Sequence, residues 1–364
     1  MSETVLKEAE RIAFTLRSLY QKYGYLAYKM SKFEEYDLYV RNKEFLVGDG
    51  VITFNDTDGK LLALKPDVTL SIIKNDTDDD GKRKVYYNEN VYRISAKTKQ
   101  FKEIMQVGLE CIGDIDLYDV YETLCLAAES LATVSSKYVL DVSHLGILSA
   151  VLNEINCGEK FTREIMHCIA EKNKHETSAV CEKYGVSKEN AEKLLTIIGA
   201  YGDMDESLKM LAPICKHGEA KQAFDRLKAL CELLENTKYA KKIRLDFSVV
   251  NDMNYYNDIV FKGFIEGIGE GVLSGGRYDK LMSRMGRRSG AIGFAVYLDL
   301  IEGLMHENRS EDVDVLLLYD EKTDVRAVTN KVRELIEKGK SVRAQKDKGK
   351  IRCKEIIELK GAER

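Results

Sequence analysis

A block of about ninety residues, 147–237, carries helical patterning with little β-branched alternation, and strand-like segments lie on both sides of it. Such a block must interrupt a sheet whose strands come from both flanks. Upstream, Val5, Ala9, Ile12, Ala13, Leu16, Leu19 and Tyr20 mark an amphipathic helix over 1–23 that Gly24 ends. Val51–Phe54 and Leu61–Leu64 flank Asn55-Asp56-Thr57-Asp58-Gly59-Lys60, a hairpin turn. Strands are predicted at 83–88 and 104–112, a helix at about 116–134 and a strand at 138–142. Downstream, strands are predicted at 243–247 and 258–264, then 271–277, a helix from about 278, a strand over 290–297 and a helix to about 307. The last fifty residues read as a strand at 313–319, a helix at 322–338 and short strands. The expected class is α+β, with an antiparallel sheet because hairpins rather than helical crossovers join most strands. The expected organisation is a discontinuous core of 1–146 and 238–310, a helical insertion of 147–237, and a short C-terminal α/β segment of 311–364.

Composition excludes several functions. Lys and Arg number 56 against 60 Asp and Glu, a net charge of −4 that disfavours sequence-independent nucleic-acid binding. No apolar run has the length of a bilayer span, and the charged N-terminus lacks signal-peptide features, so the expectation is a cytoplasmic protein. The eight cysteines form no CxxC pair and the five histidines no HxxxH or HxH, so neither a metal nor a disulfide is expected. Gly267-Ile268-Gly269-Glu270-Gly271 fails the dinucleotide spacing and precedes a strand rather than a helix. It reads as a hairpin, and with no Walker A loop or GxSxG elbow present, no cofactor is expected.

Four ordered segments resemble the catalytic core of the class II histidyl-tRNA synthetases. Leu64-Lys65-Pro66-Asp67-Val68-Thr69 is similar to the family's Leu-Arg-Pro-Glu-Gly-Thr strand. Val91-Tyr92-Arg93, a polar loop and Gln106-Val107-Gly108-Leu109-Glu110 resemble motif 2. Asn251 to Phe261 resembles the histidine-specific stretch, and Gly275-Gly276-Arg277-Tyr278-Asp279 followed by 291–300 resembles the segment ending in motif 3. The resemblance covers roughly 5–307 and implies a class II synthetase-like core with a helical insertion.

Departures from the family pattern fall on the adenylation machinery. Asn251 stands where the family has an arginine on the carboxylate and α-phosphate. Tyr297-Leu298-Asp299-Leu300 replaces Gly-Leu-Glu-Arg, whose arginine clamps ATP, and the loop Ile94-Ser95-Ala96-Lys97 lacks the family's Glu-Arg pair. Losing one donor to a developing anion typically costs about 3–4 kcal/mol in the transition state, so no catalytic residues are assigned. Amino-acid recognition is better kept. The resemblance implies that Asp67 and Gln106, with Thr69 nearby, face an ammonium, and that Arg93 takes the carboxylate. It turns Glu110 toward the imidazole, and puts Tyr256 and Tyr278 on its nitrogens with Tyr255 beside them. Gln106 and Glu110, four apart on a strand, point to one face. His144 reads as structural, and Lys97, Lys99 and Lys102 read as a solvated loop.

A synthetase-like core with this pattern resembles the regulatory subunits of ATP phosphoribosyltransferase. The resemblance implies a dimer that joins a short-form catalytic subunit in a hetero-octamer, with L-histidine as effector in histidine biosynthesis. The missing arginines and the short tail argue against tRNA as a partner. The alternative is a degenerate synthetase-like amino-acid-binding paralogue without a transferase partner.

Overall fold

The computed structural model describes residues 8–43, 50–76, 81–94, 98–250, 255–305 and 311–360. The chain forms two compact units, Met1–Glu302 and Gly303–Arg364.

The first unit opens with α1 (Glu8–Lys22), β1 (Leu26–Ala27), β2 (Phe33–Glu35), α2 (Tyr36–Arg41), β3 (Thr53–Asn55), β4 (Leu61–Leu64) and α3 (Thr69–Lys74). The long hairpin β5 (Arg83–Ile94) and β6 (Phe101–Gly113) follows, then α4 (Leu117–Val134) and β7 (Tyr138–His144). The helical block comprises α5 (Leu145–Ile155), α6 (Gly158–Ala170), α7 (Lys174–Lys183) and α8 (Lys188–Gly199). It continues through β8 (Tyr201–Gly202), α9 (Met204–Leu211) and α10 (Gly218–Leu234). The chain then returns to sheet with β9 (Ile243–Asp246), β10 (Ile259–Ile265), β11 (Leu273–Arg277), α11 (Asp279–Arg284), β12 (Gly290–Tyr297) and α12 (Leu298–Met305).

The main sheet has nine strands in the order β1-β5-β6-β12-β11-β10-β7-β9-β8. From β5 to β7 every pairing is antiparallel, as expected, although only β5–β6 and β10–β11 are joined by hairpins. Near the edges the expectation needs correction, because β1 joins β5 and β9 joins β7 in parallel. Parallel neighbours need a crossover between them, and the helical block is the crossover from β7 to β9. The block also returns a strand, since β8 pairs antiparallel with β9.

Helices α1 and α4 pack together beside this sheet. Ala9, Ile12, Ala13, Leu16 and Tyr20 form the buried face of α1, and the Tyr20 hydroxyl lies 2.9 Å from that of Ser130 on α4. Asp116 and Asp119 cap the start of α4 reciprocally, each carboxylate accepting the other's backbone N–H. The segment similar to the Leu-Arg-Pro-Glu-Gly-Thr strand splits in two here. The strand stops at Leu64, Pro66 brings no donor for a ladder, and the Asp67 carboxylate accepts the Leu70 N–H at 3.0 Å as α3 begins. A second, three-stranded sheet, β2-β4-β3, holds the predicted hairpin.

The second unit contains β13 (Val313–Tyr319), α13 (Val325–Glu337), β14 (Val342–Gln345) and β15 (Cys353–Leu359). Its three strands run parallel in the order β14-β13-β15. Val315, Leu316 and Leu317 are fully buried, as the central strand of a parallel sheet requires. All eight cysteines are free thiols. Among the described residues no helix is long and apolar enough to cross a membrane, and no cluster of three or more His, Cys, Asp or Glu could hold a metal.

Candidate functional site

The register of the main sheet builds a concave floor from three rows of side chains, because residues paired across antiparallel strands share a face. The first row is Gly276, Gly293 and Glu110. Two residues along, Lys262, Ser274, Ala295, Gly108 and Tyr87 form the second. Tyr297 and Gln106 form the third. Glycine, serine and alanine in the middle leave space that the larger residues at the ends wall in. The result is a cleft of about 610 Å³. A Cβ on Gly293 would collide with the Glu110 carboxylate, so this carboxylate lies flat over the neighbouring strand.

The structure brings all eight residues expected at the site, Asp67, Thr69, Arg93, Gln106, Glu110, Tyr255, Tyr256 and Tyr278, to the lining of this one cleft. Thr69, the first residue of α3, donates its hydroxyl to Glu110 at 2.8 Å, and Tyr278 donates to the other carboxylate oxygen at 2.5 Å. Burial pushes the Glu110 carboxyl up to about 8, the two hydroxyl donors hold it back, and the charge of Asp67 adds to the rise. Near neutral pH the group is mostly protonated, and a cationic or N–H-donating ligand would draw it toward carboxylate. The rings of Tyr255 and Tyr256 lie 4.6 Å apart and those of Tyr255 and Tyr278 5.9 Å apart, forming an aromatic wall.

Arg93 is less available than expected for a ligand carboxylate. Its Nε donates to the Pro66 carbonyl at 2.7 Å, and its guanidinium lies 3.8 Å from the Asp67 carboxylate. Burial raises the Asp67 carboxyl, and this arginine opposes the rise. The motif 3 positions also acquire specific roles. Tyr297 lines the cleft, Leu298 is buried, and Asp299 pairs with Lys102 at 2.6 Å. Lys102 is therefore an anchored side chain, a correction to its reading as solvated loop. Asn251 and the loop positions Ser95, Ala96 and Lys97 lie outside the described residues. His144 is buried with its Nε2 2.7 Å from Asp258, and it does not line the cleft.

Tyr87, Lys262, Phe264 and Ser274 also line the cleft and carry no motif of their own. Only period-two counting along strands of known register finds them, and the register follows from the folded sheet rather than from local sequence.

The fold and this cleft define a class II synthetase core. The family model described as Histidyl-tRNA synthetase matches residues 2–301, and the chain belongs to that family. Its curated relatives include proteins named ATP phosphoribosyltransferase regulatory subunit. That of Oceanobacillus iheyensis is 28% identical over 301 residues, covering 82% of this chain and 74% of the relative. That of Bacillus mycoides is 25% identical over 348 residues, covering 92% and 81%. Among solved structures, an ATP phosphoribosyltransferase regulatory subunit/histidyl-tRNA synthetase from Bacillus halodurans C superposes with a TM-score of 0.78 at 23% identity, covering 97% of this chain and 94% of that one. A histidyl-tRNA synthetase from Nostoc sp. PCC 7120 gives 0.70 at 17% identity, covering 93% and 82%. An ATP phosphoribosyl transferase complex from Thermotoga maritima contains a chain at 0.63 and 18% identity, covering 80% and 97%. These likenesses show the α+β, class II synthetase-like fold.

Proposed function

We propose that the chain is a non-catalytic regulatory subunit of ATP phosphoribosyltransferase, and that it activates a short-form catalytic subunit and mediates feedback inhibition by L-histidine. The observation that carries this reading is the asymmetry of the cleft. Its amino-acid end holds a buried carboxyl served by two hydroxyl donors, whereas Tyr297-Leu298-Asp299-Leu300, at the end of the motif 3 strand, presents no cation. Adenylation must neutralise charge developing on phosphate, and binding an amino acid carries no such demand. The names of the curated relatives support a transferase partner.

In this reading Glu110, with Tyr256 and Tyr278, takes the imidazole, while Asp67, Gln106 and Thr69 take the ammonium. Residues 1–146 and 238–310 act as the core, 147–237 as a helical insertion and 311–364 as a C-terminal appendage. The chain works as a dimer within a cytoplasmic hetero-octamer and does not use tRNA. Histidine inhibits by binding the inactive arrangement of the complex more tightly than the active one.

Calorimetric titration of L-histidine into the full chain, alone and mixed with a short-form catalytic subunit, tests the reading. Micromolar binding that Glu110→Ala abolishes, together with histidine-sensitive activation of the catalytic subunit, is the expected outcome. Binding without any effect on the transferase would favour an amino-acid-binding paralogue that lacks this partner. Absence of binding to chain and mixture alike would overturn the sensor.

A further inference from the structure

An amino acid entering this cleft brings a carboxylate, and a buried carboxylate needs a cation or several donors. Two basic side chains, Arg93 and Lys262, line the cleft among the described residues. Arg93 is already engaged with the Pro66 carbonyl and the Asp67 carboxylate. Lys262 is half-buried, and no carboxylate of the described residues forms an ion pair with it.

The placement of Lys262 suits a ligand anchored at Glu110. Lys262 belongs to the second row of the floor, one two-residue step along the strands from the row of Glu110. Across the sheet β10 lies three strands from β6, so with that step of about 7 Å and neighbouring strands about 4.8 Å apart the two backbones are about 16 Å from each other. The Glu110 and Lys262 side chains and an extended amino acid of histidine's size bridge that span together. Beside Lys262 the row itself carries the small residues Ser274 and Ala295, while the Tyr256 ring lies over Gly276 and the hydroxyls of Tyr256 and Tyr297 bond to Ser274, so a ligand reaching Lys262 passes over these rings. The methylene stem of Lys262 lies so close over Gly271 that a Cβ there would overlap it, and the ammonium sits 5.5 Å from the Phe264 ring centre. Gly271 and Phe264 both belong to the cleft lining, so stem and ammonium stay at its wall.

We propose that Lys262 is the cation that receives the ligand's α-carboxylate and fixes the cleft's preference for a free amino acid over its decarboxylated or reduced analogues. This inference rests on the reading of the cleft as an amino-acid site. It replaces Arg93 in the role that the motif resemblance assigned to it.

The test compares L-histidine with L-histidinol, which keeps the imidazole and the ammonium but has an alcohol in place of the carboxylate. Both are titrated into the full-length wild-type chain, Lys262→Met and Lys262→Arg. Methionine retains the apolar stem over Gly271, and circular dichroism checks that the variants are folded. Lys262→Met is expected to weaken L-histidine binding about 10- to 100-fold, the range for a lost charge-assisted hydrogen bond. Binding of L-histidinol should stay within about twofold, and arginine should restore most of the loss for L-histidine. Unchanged L-histidine affinity in Lys262→Met, or equal losses for both ligands, would overturn the proposal while leaving the amino-acid site intact. If the wild-type chain binds neither ligand, with or without a catalytic subunit, the amino-acid site falls and this assignment falls with it.

Discussion

Glu110 shows how one buried carboxyl couples the site to stability. Its folded-state value of about 8 stands above the ordinary 4.5, because burial disfavours the charge more than Tyr278 and Thr69 favour it. Between those two values the folded chain holds a proton that the unfolded chain has released. Its contribution to stability is therefore fully present below about pH 4.5 and is lost as pH rises toward about 8. Glu110→Gln keeps the shape and removes the titration. In urea unfolding the variant is expected to gain on the wild type by about 1–3 kcal/mol at about pH 9 relative to about pH 5. A constant difference across that range would show that the carboxyl does not titrate in this way. Glu110 was legible in the sequence through its motif, as were Asp67, Gln106 and Tyr278. Lys262 and Tyr87 were not, because a strand residue's facing depends on its partners' register.

Between elements, the helical block is fastened to the sheet at identifiable points. Lys172, just beyond the end of α6, reaches the Asp246 carboxylate of β9 at 2.8 Å and stands 3.6 Å from the centre of the Tyr201 ring on β8. Asp141 of β7 shares this neighbourhood, and burial together with the charge of Asp246 pushes its carboxyl up to about 6. Removing the lysine leaves two buried carboxyl groups with less compensation. Lys172→Met is expected to cost about 1–3 kcal/mol in urea unfolding at about pH 8. The cost should shrink at about pH 5, where Asp141 takes up a proton. A pH-independent loss would point to packing instead. Helical periodicity located this block, yet β8 was invisible, since two residues carry no periodicity. The parallel pairing of β7 with β9 was equally hidden, because that contact spans the whole block.

At the scale of the whole molecule, the two compact units keep separate sheets, and among the described residues no strand is shared between the nine-stranded sheet and β14-β13-β15. A chain ending at Met305 is therefore expected to keep cooperative unfolding, with a thermal midpoint within about 4 °C of the full chain's first-unit transition. Differential scanning calorimetry checks this, and loss of the transition would show that the first unit depends on the second. The crossover between β7 and β9 also bears on how the chain reaches its native state. Joining these strands before the intervening segment is ordered would close a loop of about a hundred residues, with the entropic cost that length carries. Contacts within the helical block are local and form on a shorter timescale than such a closure. Prior helix formation shortens the span left to close, so the β9–β8 edge of the sheet is expected to assemble late, on a scaffold of helices already made.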